Sequence, residues 1–581
     1  MKRFILFLIL ILFLLILFSC DNFENAIVEL VITPQQDNQE SIEVSESENA
    51  FSVKPQKLTS SEFEFLIIPG NFMNKQIEYE VLNVSYEIVR KGKLDLSSNN
   101  IKVDFSRLPD GTPFLLRFKE NGKIFFEFPF RTLKKLYKQD SIDLVYFVDL
   151  TNNEKGFVEV SIFGDYKGVN NLNFDRNNYH LSNEVGLKLV NNPNVEFYGY
   201  SGKPKFDFQN NNQINLDLNN SEKGYFYINY VCDKSKIYYQ GHGVEGHLNE
   251  RYFMASHEQF LILPNLLNIS NIKNIDFSIS PIIPSGWKLD TWWEETEFGL
   301  LKIPEKKIPK DIYKLSLGAL HFYAYNPEYF DVYSRKIGDT NIRVIKEKSI
   351  KEPFETATFK IYEKLVEHWG GDVDYRECDY SDYTVMIVDE NTQVYAGEYT
   401  DAQGFSKVWG IGEMLVHQIY HRWNAWACEI EVDTSGYNWD SYGFWIEGVN
   451  EFYCDKILTE LNLTYPNDYM RGWYNYYKKI YGTNKDCPII YFNENCDNYL
   501  RYGKGAVIAY YIDKRLREVS NNKYSMDTVL QYFLKGWKER NMRFSYNEFF
   551  DYLEKLGGKQ FIKEIKDIFY NNKRIILKEF E

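Results

Sequence analysis

Residues 412–426 read GEMLVHQIYHRWNAW. The stretch reads as a helix, and His417 and His421 stand four apart in it, so both imidazoles leave the same face. That is what a tetrahedral metal ion requires of two of its ligands. The competing reading is an ordinary pair of surface or core histidines. The chain has only eight histidines in 581 residues, so what lies beyond the pair decides between the two readings.

Downstream, FWIEGVNEFY (444–453) places an acidic residue, Glu447, before a glycine at the start of an aromatic-rich helix. Glu451 follows four positions on, on the same face. Further along, RYGKGAVIAYYIDKRLRE (501–518) opens a helix with Tyr502-Gly503-Lys504-Gly505, and YSMDTVLQYF (524–533) comes after it. Upstream, PSGWKLDT (284–291) closes a strand-rich region.

With HQIYHRWN set against H-E-x-x-H-x-W-N, these segments and their order resemble the glycyl-aminopeptidase family of gluzincin metallopeptidases. The resemblance runs over residues from about 140 to 581. Wider relatives are aminopeptidase N and the leukotriene hydrolase. The resemblance implies a β domain, a thermolysin-like catalytic domain, one zinc ion, and removal of N-terminal residues from peptides. It makes His417, His421 and Glu447 the metal ligands. It gives Glu451 a hydrogen bond to the first histidine, against the plainer reading of a solvated helix charge. It makes Tyr502 a donor to the oxyanion of the tetrahedral intermediate. Lys504, beside it at the helix start, reads as having only a helix-terminal role. VYAGEY (394–399) resembles the family's glycine-rich strand, which implies that Glu398 grips the amino terminus of a substrate.

One departure matters most. The family's motif carries Glu, the general base that activates water, where this chain has Gln418. Glutamine cannot accept a proton at neutral pH, but none of the three ligands is lost with the Glu. Glu413, four before His417, is a candidate partner of that histidine or a displaced base. It is equally a surface residue favoured by the helix dipole. Three functions follow as alternatives: a zinc-binding, peptidase-like protein with weakened or lost hydrolysis that holds peptides or proteins in its cleft; an active aminopeptidase using another base; and a surface binding or adhesion protein that works through its β domains. A second histidine group, His242, His247 and His257 with Glu258, is irregularly spaced and reads as structural or solvated.

The first twenty residues carry Lys2 and Arg3, an unbroken apolar run, and Leu17-Phe-Ser-Cys20. This is a secretory leader that ends like a bacterial lipobox, with Cys20 as the lipidation site. The alternative is a single membrane-spanning anchor. Either way the expectation is a bacterial cell-envelope protein, tethered to the membrane and facing outside the cytoplasm. A net charge of −15 gives no basic patch for nucleic acid. Of the six remaining cysteines, Cys487 and Cys496 flank a short loop and are the best candidates for a disulfide.

The composition, 44% hydrophobic and 26% charged, is globular and allows several domains. Residues 21–50 read as a polar tether. Residues 51–137 alternate in short runs broken by PDG and ENG turns and suggest an immunoglobulin-like β-sandwich, with Ile101, Val103 and Phe105 on one face. Residues 138–310 continue in strands (FVEVSIFG, GYFYINYV, QFLILP, IDFSISPII) as a second all-β domain. Residues 311–581 turn mostly helical, after a short strand region that includes the buried YTVMIVDE. In EPFETATFKIYEKLVEHW the apolar residues Phe354, Phe359, Tyr362 and Leu365 fit a helix stopped by Gly370-Gly371.

Overall fold

The protein is described from a computed structural model covering residues 52–581. It leaves out 95–99, 105–111, 132–139, 176–188, 199–204, 236–245, 265–273, 303–320, 374–381, 397–401, 432–442 and some shorter stretches. Nearly all described residues belong to one compact unit, Val53–Ile67 with Asn74–Glu581. The expected leader, Cys20, the tether, the PDG turn, Phe105, His242, His257, Glu258, Cys378 and Glu398 lie outside the described residues.

Among the described residues the N-terminal half is built of strands and the C-terminal half mostly of helices. Ser52–Leu58, Glu62–Ile68 and Asn100–Asp104 form a three-stranded sheet. Ile88–Leu94, Ile77–Leu82, Pro113–Glu120 and Lys123–Arg131 form a four-stranded one. The last two strands are a hairpin closed by Asn121 (φ 50°) and Gly122 (φ 80°). Two successive positive φ values match the right-handed twist of the flanking strands, which is why the ENG signal works as a turn.

Next comes a seven-stranded sheet in the order Asn194–Tyr198, Lys223–Asp233, Phe157–Lys167, Ser141–Asp149, Asn274–Ile282, Leu301–Lys302, Glu294–Glu295. Its pairing is antiparallel except between Ser141–Asp149 and Asn274–Ile282, which run parallel. Ile142, Leu144, Tyr146 and Val148 alternate onto one face and share a buried core with Val160, Ile162 and Phe226. The other face is aromatic: Phe163 lies 4.8 Å from Tyr227, and Phe128 of the preceding hairpin lies 6.0 Å from the same ring. Arg131, at the end of that hairpin, is fully buried. It bonds to Asp143 at 3.1 Å and to Asp165, both on the seven-stranded sheet.

His321–Tyr325, beyond the expected boundary at 310, completes a sheet with His247–Leu248, Tyr252–Ser256 and Lys288–Thr291. Tyr323 and Tyr325 there share a small core with Met386 and Val388 of the following sheet. That sheet has the order Phe330–Ile337, Thr340–Glu347, Asp382–Val388, Ala402–Ser406, Tyr395–Ala396. It is more extensive than the short strand region expected from the sequence. YTVMIVDE supplies its central, buried strand, paired in parallel on both sides.

The helices are α1 (Phe354–Trp369), α2 (Glu413–His421), α3 (Val449–Glu460), α4 (Asp468–Ile480), α5 (Leu500–Val519), α6 (Met526–Arg540) and α7 (Tyr546–Asn571). In α1 the expected apolar positions are all buried, and the N–H groups of Gly370 and Gly371 close the last turn on Glu367 and Val366. Trp369, Trp423 and Trp445 are wholly buried in the large helical core.

His368, near the end of α1, ties three helices together. Its Nδ1 lies 3.3 Å from Asp527 of α6 and its Nε2 3.2 Å from Glu460 of α3. Asp527 also takes Tyr453 Oη at 2.6 Å and Lys456 Nζ at 2.7 Å. Burial pulls the His368 pKa down, but bonds to Asp527 and Glu460 outweigh it and leave it raised. A folded pKa above the unfolded value of about 6.5 means that the stabilisation is complete below that pH. It is lost as pH rises through the folded value. Denaturant titrations should therefore show an alkaline loss of stability that is absent in His368→Gln. An identical pH profile in the two proteins would contradict this.

Candidate metal centre

Helix α2 buries Leu415, Val416, Ile419 and Tyr420, and that burial fixes where its histidines point. The rings of His417 and His421 lie 4.6 Å apart and nearly perpendicular, with their Nε2 atoms 2.9 Å from each other. After His421 the backbone widens into a π turn, Arg422–Ala427, and Glu447 sits in a second π turn, Phe444–Gly448. Such turns recur at functional sites, where one extra residue re-aims a side chain. Here they bring Asn424 Oδ1 to 3.2 Å from His421 Nδ1. The Asn424 amide donates to the carbonyls of Trp445 and Ile446 at 2.9 and 2.8 Å. Asn424 thus stitches the His421 turn to the Glu447 turn. Asn450 does the same one turn further on, donating to the His417 carbonyl at 2.8 Å.

Glu447 Oε2 lies 3.3 Å from His417 Nε2 and 3.8 Å from His421 Nε2. His417 Nδ1 is 2.8 Å from Glu451 Oε1, the bond the resemblance implied. Each ring therefore places its Nδ1 on an acceptor, which turns both Nε2 atoms toward Glu447. The three donor atoms all lie within 4.8 Å of one another. Glu447 Oε2 is buried and, apart from its 3.3 Å approach to His417 Nε2, has no hydrogen-bond partner, a costly state for a carboxylate oxygen unless a cation completes it. Two imidazole nitrogens and one carboxylate oxygen are a donor set that zinc takes, so the residues present fit one zinc ion.

The electrostatics agree. Burial pushes the Glu447 carboxyl up, but His417, His421 and Arg501 outweigh it and hold it at about 2. Burial and the charge of His417 pull His421 down to about 3. Burial also lowers His417, but Glu451, Cys454 and Glu447 together leave it well above its ordinary value.

Tyr502, in the first turn of α5, stacks its ring 6.1 Å from that of His417, and the Arg501 guanidinium lies 5.2 Å over the Tyr502 ring. The distance between these elements is set by two glycines. A Cβ on Gly448 would fall 2.4 Å from Gly505 Cα, and one on Gly505 would fall 2.7 Å from Gly448 Cα. This gives Gly448 of WIEG and Gly505 of YGKG a common reason: they let the Glu447 segment and α5 touch backbone to backbone. Gly448→Ala must push the two apart and should cost about 1–3 kcal/mol in denaturant unfolding. A loss below about 0.5 kcal/mol, within the range of ordinary surface substitutions, would contradict the contact.

Gln418 is almost fully buried beside the two histidines, with its Nε2 3.5 Å from Met414 Sδ. Glu413 is exposed in the first turn of α2. It does not serve His417, whose Nδ1 is taken by Glu451, so of its readings the helix-dipole one agrees with its place. Lys504 corrects the sequence reading. It is not a helix-terminal residue but a buried one, whose Nζ bonds to Asp486 Oδ1 at 2.6 Å, to the Cys487 carbonyl and to Asn572. Cys487 and Cys496 form the expected disulfide.

His417, Glu451 and Cys454 also converge. However, burial lifts the Cys454 thiol to about 12, and its Sγ lies 3.6 Å from the Glu413 carbonyl. In this group His417 Nδ1 and Glu451 Oε1 are already bonded to each other at 2.8 Å. In the upstream histidine group, His247 Nδ1 is bonded to Tyr252 Oη at 2.7 Å, which gives this histidine a structural partner.

No protein-family model matches the chain, and no curated protein matches it. Solved structures do. Yeast LTA4 hydrolase aligns at 13% identity over 75% of this chain and 68% of its own, with a TM-score of 0.41. An M1 zinc metallopeptidase from Deinococcus radiodurans aligns at 13% identity over 75% of this chain and 95% of its own, with a TM-score of 0.45. An aminopeptidase N family protein from Idiomarina loihiensis aligns at 13% identity over 75% of this chain and 77% of its own, with a TM-score of 0.55. At that identity the likeness is one of fold: this chain has an aminopeptidase N-like architecture, with strands in its N-terminal half and helices in its C-terminal half.

Proposed function

We propose that the protein is a zinc-binding, aminopeptidase-like lipoprotein of the bacterial cell envelope whose peptide hydrolysis is weakened or lost. The observation that carries the reading is the convergence of His417, His421 and Glu447, whose donor atoms all lie within 4.8 Å of one another. His417, His421 and Glu447 would hold the ion. A zinc ion there supplies Lewis-acid polarisation of a peptide carbonyl and makes water a better nucleophile.

The chain's own residues account for the rest. Glu451 and Asn424 hold the two rings in the tautomers that face Glu447. Tyr502 stands over His417 with its hydroxyl as a donor for an oxyanion. Burial raises that hydroxyl's pKa above its ordinary value, so it keeps its proton to donate. Gln418 occupies the place of a general base but cannot take a proton, so the step that deprotonates water and protonates the leaving amine has no agent there. What remains is a cleft that binds peptides or proteins.

The test is hydrolysis of aminoacyl reporters by the zinc-loaded full chain. Turnover should be weak or absent. Efficient turnover that survives Gln418→Ala would mean that the chain is an active aminopeptidase with another base. Anchoring at Cys20 is tested separately by incorporation of labelled fatty acid, which Cys20→Ala should abolish. If the wild-type chain never takes up the label, the N-terminal segment is a plain leader or anchor.

A further inference from the structure

We propose that Tyr469 and Trp473 of α4 are positioning residues of the metal centre, which lock the Glu451 carboxylate so that His417 presents its Nε2 toward Glu447. The inference rests on the zinc reading above.

Glu451 is buried, and its two oxygens have separate tasks. Oε1 meets His417 Nδ1 at 2.8 Å. Oε2 accepts from Tyr469 Oη and, at 3.1 Å, from Trp473 Nε1. The indole N–H can only donate, so it designates Oε2 as an acceptor. With both donors in place the carboxylate cannot turn about its last bond without losing them. Oε1 is then fixed for His417, and through it the tautomer and tilt of that ring.

The two donors stand four apart on α4, with ring centroids 5.9 Å apart. Tyr476 continues the stripe, its ring 5.9 Å from that of Trp473. It packs on Gly503 of α5, where an added Cβ would come within 2.5 Å of Tyr476 Cδ1. It also donates to Asp497 Oδ1 at 2.5 Å, and that oxygen accepts the Tyr499 N–H at 2.9 Å just ahead of α5. One aromatic face of α4 thus braces both the Glu451 carboxylate and the turn that carries Tyr502.

Partners of metal-bound histidines typically affect metal affinity by about 10–100-fold. The test is zinc affinity of the full chain, measured by competition with a chelating dye. Tyr469→Phe and Trp473→Phe should each weaken binding about tenfold or more, with far-UV circular dichroism confirming that the metal-free chain is folded. In a Glu451→Gln background the same changes should have no further effect, because they act through that carboxylate. A purely packing role would leave the affinity unchanged or add to the Glu451→Gln loss. Unchanged affinity in both Phe variants, or fully additive losses, would overturn the proposal and leave the metal reading standing. A wild-type chain that binds no zinc would overturn both.

Discussion

Gln418→Glu is expected to raise turnover of aminoacyl substrates by the zinc-loaded chain about 10²-fold or more. A general base typically contributes 10²–10⁴-fold, and glutamine has the length and shape of glutamate without its basicity. His417, His421 and Glu447, the bonds from Glu451 and Asn424, and Tyr502 are in place without that base. On the proposed reading, the substitution therefore adds the proton acceptor to residues already arranged around Glu447. In the Gln418→Glu background, Tyr502→Phe should lower turnover again by on the order of 10²-fold, the usual loss for one oxyanion donor. Steady-state kinetics with zinc occupancy checked in parallel separates the outcomes. A zinc-loaded Gln418→Glu protein that gains nothing would mean that the cleft has lost more than its base, and would favour a binding role.

Arg131→Met should cost about 3–5 kcal/mol of folding free energy, the usual price of removing one partner of a buried ion pair. Met keeps much of the volume. The loss is electrostatic, because Asp143 and Asp165 are left buried without the guanidinium between them. The effect falls on the strand-rich half, and a denaturant titration followed by circular dichroism should report it. A loss under about 1 kcal/mol would mean that water reaches the two carboxylates.

Local patterns in the sequence carried a large part of this structure. The histidine pair lies on one helix and converges with Glu447, and Glu451 bonds the first histidine. The hairpin at Asn121-Gly122 and the stop at Gly370-Gly371 follow from backbone chemistry that the residue types declare. What stayed hidden depends on distant partners. Lys504 reads as a helix-terminal lysine until Asp486 and Asn572 surround it. Tyr469 and Trp473 look like two more aromatics in a chain rich in them, and only their bonds to Glu451 set them apart. Asn424 was within the matched motif, but its role depends on a π turn, and no periodicity of apolar residues marks one extra residue in a helix. The strand His321–Tyr325 pairs with a segment far upstream, so sequence texture placed the change of domain ahead of it.

The most direct measurement is elemental analysis of the full chain, purified without chelator and offered zinc. One zinc per chain is predicted for the wild type, with the ion lost in His421→Ala and in Glu447→Ala while the fold persists. A wild-type chain without stoichiometric zinc, or variants that keep it, would contradict the metal centre on which the functional reading stands.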